Sequence, residues 1–269
     1  MPKAPSVKWT RDHFLIALNL YGKLPFGKLH KGNPLIIEVA EKMGRTPSSL
    51  AMKLGNFASL DPVLLARGIK GLAGATKQDR AMWAEFRGQL DTLAPESETL
   101  LHDLFTADES QEVDFLARDR VRLVPAPSLP PIGPTEKLAT VKLRRGQQFF
   151  RQTVLNAYGV RCCITGIGVP RLLVASHIRP WSQFPADRLN PRNGLCLSTL
   201  HDAAFDAGLL TVDEKFRVLL SPRLKSHFPQ PALEQNFAAY EGASIRLPEM
   251  LAEPAAEFLA HHRTAIFQA

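Results

Sequence analysis

The chain has 269 residues, 45% of them hydrophobic and 22% charged, enough to bury one large core or two smaller ones. No apolar run approaches the roughly 20 residues of a membrane helix, the opening "MPKAPSVKWTRDHF" has no apolar signal-peptide core, and three cysteines, two of them adjacent, make no disulfide framework; a cytoplasmic protein is expected. A net charge of +7 and a pI near 9.5 suit a polyanionic partner.

The basic excess is local. Residues 1–60 hold nine Lys/Arg against three acids, and "KLATVKLRRGQQFFR", 137–151, holds no acid at all. In "WTRDHFLIALNLYGKL", Phe14, Leu15, Leu18 and Tyr21 recur at helical spacing. "NPLIIEVAEKMGRTPSSLAMKLGNF" predicts two short helices, with Pro34 in the first turn of one and Gly44 as its stop. Thr46 caps the second, with Pro47 at its first position. Helix, glycine turn, helix is the outline of a helix-turn-helix, and Ala40 and Gly44 supply the small residues a tight pair needs. On that reading Ser48, Ser49, Lys53 and Asn56 face a DNA groove from the second helix, Arg45 precedes it, and His30 and Lys31 are candidate phosphate contacts. The bland alternative is an αα-hairpin that never touches nucleic acid. Trp9 and Trp83 read as core anchors, and Tyr21, Phe26 and Phe57 either as core or as an aromatic stack for a flipped base.

"VPAPSLPPIGP", with five prolines in positions 125–134, cannot continue a helix or a central strand. The expected layout is a helical DNA-recognition domain at 1–105, a linker at 106–135 and a second domain at 136–269. Within the last, "LLVASHI" reads as a strand ending at His177, and "RPWSQFPADRLNPR", with three prolines, as a loop in which Trp181 and Phe184 line a groove or pack the loop itself. "NGLCLST" reads as a turn dipeptide followed by a strand, and "LHDAAFDAG" as a short helix stopped by Gly208. Packing that helix across the hairpin would bring His177 and His201, 24 positions apart, to one site. A serine hydrolase is excluded: Ser176 and His177 point to opposite faces of a strand, and no G-x-S-x-G is present. Residues 225–269 are expected to add a strand or two and a closing helix.

The motifs "CITG", "ASHIRPW", "NPRNGL" and "LHDAAFDAGL" together resemble the HNH endonuclease family over about residues 140–225. The N-terminal half is similar, less closely, to segments that precede HNH domains in bacterial restriction enzymes. The resemblance implies an α+β protein: an all-helical, helix-turn-helix-like domain followed by a ββα-metal nuclease domain. It also implies a metal-dependent DNA endonuclease of restriction type, acting on double-stranded DNA as a homodimer; dependence on modified cytosine is a refinement by analogy. A non-catalytic DNA-binding protein and a nuclease for RNA or single strands are the alternatives. In the family pattern His177 is the general base, Asn193 braces the loop, and His201 ligates a divalent ion, Mg²⁺, Mn²⁺ or a transition metal. Ser176 stands where many relatives carry a second metal ligand, so that ligand is sought on the helix, at Asp206 ahead of Asp202. Arg144, Arg145, Arg151 and Arg179 are expected to meet the DNA backbone. The cysteines cannot assemble a tetrahedral site, so no structural zinc is expected and they read as core.

Overall fold

The computed structural model describes residues 8–116, 119–127, 134–248 and 253–269. Lys3 of the basic N-terminal stretch and the centre of the proline-rich run, 128–133, lie outside them.

Six helices come first: α1 (Arg11–Lys23), α2 (Pro34–Lys42), α3 (Pro47–Ala58), α4 (Pro62–Ala66), α5 (Lys77–Gly88) and α6 (Leu90–Phe105). α1 starts at a reciprocal cap, the Thr10 hydroxyl accepting from the His13 amide while the His13 ring accepts from the Thr10 amide. Its buried residues go round the cylinder, because it is the central helix, packed by α3, α5, α6 and α7 (Pro134–Ala157). The α2–α3 pair forms as its sequence signals dictate. Asn33 caps α2 and Thr46 caps α3, each ahead of a first-turn proline, and Gly44 between them takes φ +65°. Tyr21, Phe57 and Trp83 pack together in this core.

The span 106–135, expected as a linker, contains an antiparallel hairpin, β1 (Gln111–Asp114) with β2 (Arg122–Pro125). α7 then runs 24 residues and touches both α6 and α1 on one side and the next hairpin on the other. That hairpin, β3 (Leu173–His177) with β4 (Gly194–Ser198), is antiparallel, with His177 opposite Gly194. α8 (Thr199–Asp206) packs across it, giving the anticipated ββα order. Gly194 is extended rather than left-handed. Glycine is needed there because a Cβ would come within 2.5 Å of Val154 on α7. A second hairpin, β5 (Leu210–Val212) with β6 (Val218–Leu220), follows, then α9 (Pro222–Lys225), α10 (Pro231–Asn236) and α11 (Ala256–Ala265). The architecture is α+β, helical first and ββα second. Among the described residues after 225 there is no strand, only one bridge between Arg217 and Ser244, whereas the closing helix α11 is present and packs on β5. The three cysteines are free and buried in the core. No described helix is long and apolar enough to cross a membrane.

Candidate active site

His177 ends β3, half-buried at the mouth of the hairpin. Its ring stacks flat on Phe150 of α7, centroids 4.0 Å apart at 9°, and meets the Trp181 indole edge-on at 5.2 Å. Nε2 lies 3.0 Å from the Arg188 carbonyl, which can only accept, so the proton is on Nε2 and Nδ1 keeps its lone pair. Burial pushes the imidazole pKa below its ordinary value, more than the Arg188 bond and the nearby Asp202 charge push it up. At neutral pH the ring is an uncharged base of fixed tautomer.

Asn193 explains how Arg188 is held. It is fully buried; its side-chain oxygen accepts from the Arg179 amide at 2.8 Å, and its Nδ2 donates to the Arg179 and Asp187 carbonyls at 3.2 Å each. The loop of residues 178–192 is thereby stitched to the start of β4, and the carbonyl next to Asp187 is presented to His177. Arg179 joins the same stitching. It is ion-paired with Asp187 at 3.0 Å and lies between the rings of Phe184 and Phe258, which corrects its reading as a DNA contact.

The cavity beside His177 has a volume of 390 Å³ and is bordered by Ser176, Asp202, Asp206 and His262. Asp202 and Asp206 are four residues apart on α8 and so share a face. Asp206 is pushed upward in pKa, by partial burial first and by the Asp202 charge second. Ser176 also borders this space, although its hydroxyl is buried and has no hydrogen-bond partner among the described residues. His262, arriving from α11, stacks on Phe205 at 3.6 Å, and both its nitrogens are engaged, by Thr211 and by the Phe205 carbonyl. Burial holds its pKa down at about 4.

His201 does not join this site. It is buried on another face of α8, with Nδ1 2.9 Å from the Ser198 hydroxyl, Nε2 2.8 Å from the Asn236 carbonyl, and Phe237 and Tyr240 around it. One helical position turns a side chain by about 100°, so a helix that aims Asp202 and Asp206 at His177 aims His201 away. The expectation that His201 is the metal ligand is corrected accordingly. Among the described residues no group of three or more His, Cys, Asp or Glu side chains is gathered as a metal site. The sequence places Asp206 ahead of Asp202, although their i,i+4 spacing is the signal that they share a face, and nothing near His262 in the sequence assigns it to this site.

The expected nucleic-acid contacts divide. Arg144 and Arg145 are buried in ion pairs with Glu109 and Glu112, because α7 uses that face to hold the β1–β2 hairpin. Lys53 and Asn56 are buried on the inner face of α3, both bonded to Asp79, with Lys53 over the Trp9 and Phe14 rings. These four are structural. Arg45 lies over Trp9 and bonds to the Lys8 carbonyl. Ser48, His30 and Lys31 are exposed and Ser49 half-exposed. Arg151 donates to the Leu173 and Pro170 carbonyls while bordering a second cavity next to His177.

Residues 162–213, which include the ββα unit, match a family described as HNH endonuclease. No curated protein matches the chain.

Proposed function

We propose, from the premise that this chain carries an HNH endonuclease domain, that it is a metal-dependent DNA endonuclease of restriction type acting on double-stranded DNA. The domain implies a nucleic-acid substrate and phosphodiester hydrolysis. The observation that carries the reading is His177. It is an imidazole locked by one nitrogen to the Arg188 carbonyl, with the other unbonded among the described residues, bordering a cavity whose far wall is a pair of carboxylates.

Nδ1 of His177 takes the proton from a water as that water attacks phosphorus. Phe150 and Trp181 hold the ring plane, and Asn193 holds the Asp187 carbonyl, one residue before the Arg188 carbonyl that fixes the tautomer. The donor set opposite fits a hard divalent cation: two carboxylate side chains whose mutual repulsion a cation relieves, and a buried hydroxyl that lacks a partner. Asp202, Asp206 and Ser176 would hold it, in place of His201. When bound, such an ion supplies charge stabilisation to the phosphate and its leaving oxygen. The α2–α3 pair, with Ser48 exposed at its start, is the proposed reading element. Cutting both strands with one site per chain calls for two copies or two successive nicks.

The test is cleavage of plasmid DNA, unmodified and cytosine-methylated, with Mg²⁺, Mn²⁺ or EDTA, by the natural chain and by His177→Ala. Metal-dependent cutting that falls by roughly 10²–10⁴-fold in the variant is expected for loss of a general base. The acid limb of the wild-type profile should lie below the ordinary histidine pKa, because burial lowers that of His177. A requirement for methylation would identify a modification-dependent enzyme. DNA bound but never cut, with any metal and whether intact or gapped, would overturn the nuclease reading in favour of a non-catalytic binding protein.

A further inference from the structure

Trp181 borders three cavities around the catalytic histidine. One, of 330 Å³, lies between Trp181, Arg188 and the Lys142 region of α7; the next, of 280 Å³, between Trp181, His177 and Arg151; the third is the 390 Å³ space in front of Asp202 and Asp206. The first two are successive stretches of one α7 face. Ala139, Leu143 and Gly146 line the first, and Gln147 and Phe150 the second, at steps of three and four residues. From 139 to 151 this face runs about 18 Å. The three cavities therefore form a track that passes His177, with Trp181 at the junction.

The track is built for a strand. Among the described residues, Lys142, Arg151 and Arg188 border its first two stretches without a carboxylate partner, unlike Arg144 and Arg145 on the opposite side of α7; Asp91 is the acid at its far end, and Asp202 and Asp206 border the third stretch. Trp181 is half-buried and doubly fixed: its ring rests against His177, the Arg188 guanidinium sits 5.1 Å over it, and Arg188 Nε donates back to the Trp181 carbonyl at 2.8 Å. An indole held in place beside a basic groove is what base stacking requires. A base inside a duplex has both faces covered, so only an unstacked base can use it.

We propose that this track holds a single-stranded stretch of the substrate DNA, with one unstacked base on Trp181 setting the neighbouring phosphate before His177. The proposal rests on the nuclease reading and narrows its substrate to DNA whose strands are open at the cut, such as a gap, a fork or a locally melted site. Trp181 is a positioning residue, since the chemistry belongs to His177.

The experiment is a fluorescence titration in EDTA with a single-stranded deoxyoligonucleotide, the matching duplex and the matching RNA, on the natural chain, Trp181→Phe, Trp181→Ala and His177→Ala. Single-stranded DNA should quench tryptophan emission in the natural chain and in His177→Ala. Most of that quench should vanish in Trp181→Phe, which keeps an aromatic ring for packing. Trp181→Ala should weaken binding about 5- to 150-fold, as expected for the loss of one stacked base, and raise KM on gapped DNA more than it lowers kcat, with Phe restoring most of the KM. An unchanged quench in Trp181→Phe, or affinity within twofold in Trp181→Ala, overturns the platform. Duplex bound as tightly as the single strand overturns the open-strand preference, and tighter RNA binding overturns the choice of DNA. If no metal supports cutting while the Trp181 effects remain, the nuclease reading falls and the track stands.

Discussion

The N-terminal helices and the mouth of the ββα unit treat charge in opposite ways. In the helices, buried charges are matched inside the protein: Lys23 with Glu98, and Lys53 with Asp79. Burial alone pushes Lys23 down in pKa, and the carboxylate opposite pushes it back up. At the mouth, Asp202 and Asp206 face a cavity with no ion pair among the described residues, and the Ser176 hydroxyl is buried unpartnered. A charge already paired in the interior serves the fold. Charges left to repel one another around a cavity mark a candidate functional site. The chain's basic excess is therefore a poor guide to its nucleic-acid surface, since several of its most suggestive cations are spent on glutamates and an aspartate.

The largest effect expected from breaking this contrast is at the mouth. Asp202→Asn combined with Asp206→Asn should reduce cleavage roughly a thousandfold or more, the scale of several kcal/mol of lost charge stabilisation. Thermal stability should hold or rise, because two repelling carboxylates are removed. Cleavage within tenfold of the natural chain would remove these residues from the site.

Lys53→Met is the mirror image. It leaves Asp79 buried without its cation, for which about 3–5 kcal/mol of lost stability is expected in a denaturant titration. Cleavage per folded molecule should be unchanged. A stable variant with weakened DNA binding would instead return Lys53 to the reading surface of α3.

Much of this was legible in the sequence because it is local. The first-turn Pro34, the Thr46 cap with Pro47, the glycine turn at Gly44, and the strand ending at His177 each depend on a few adjacent residues. Gly208 also fulfilled its reading, stopping α8 with φ +67°, though its second reason was invisible: a Cβ there would collide with the Ile266 carbonyl at the C-terminus. What escaped was long-range. The partners of Arg144 and Arg145 lie more than thirty residues upstream, in a hairpin read as part of a linker. The wall formed by His262 comes from the last helix, beyond the family match. The rotation that separates His201 from Asp202 was implicit in helical geometry, but family expectation had fixed on the histidine.

His201→Gln measures that last correction. Losing a buried ring bonded at both nitrogens should lower stability by about 1–3 kcal/mol through the Ser198 hydroxyl and Asn236 carbonyl it abandons. Cleavage under folded conditions should stay within a few-fold. If cleavage collapsed while the melting curve barely moved, His201 would regain its place as a ligand and α8 would have to rotate in the active form.

Ser176→Ala carries the smallest expected effect on the fold and the sharpest division between readings. A buried hydroxyl with no partner is a desolvation burden, so alanine should leave stability unchanged or raise it by up to about 1 kcal/mol in EDTA. That result alone says only that the fold does not need the hydroxyl. With a divalent cation added, the same variant should gain less thermal stabilisation than the natural chain, because ligand binding raises stability in proportion to the logarithm of its affinity. Equal stabilisation would leave the two aspartates as the sole protein ligands. The hydroxyl would then be a small side chain that keeps the space in front of His177 open.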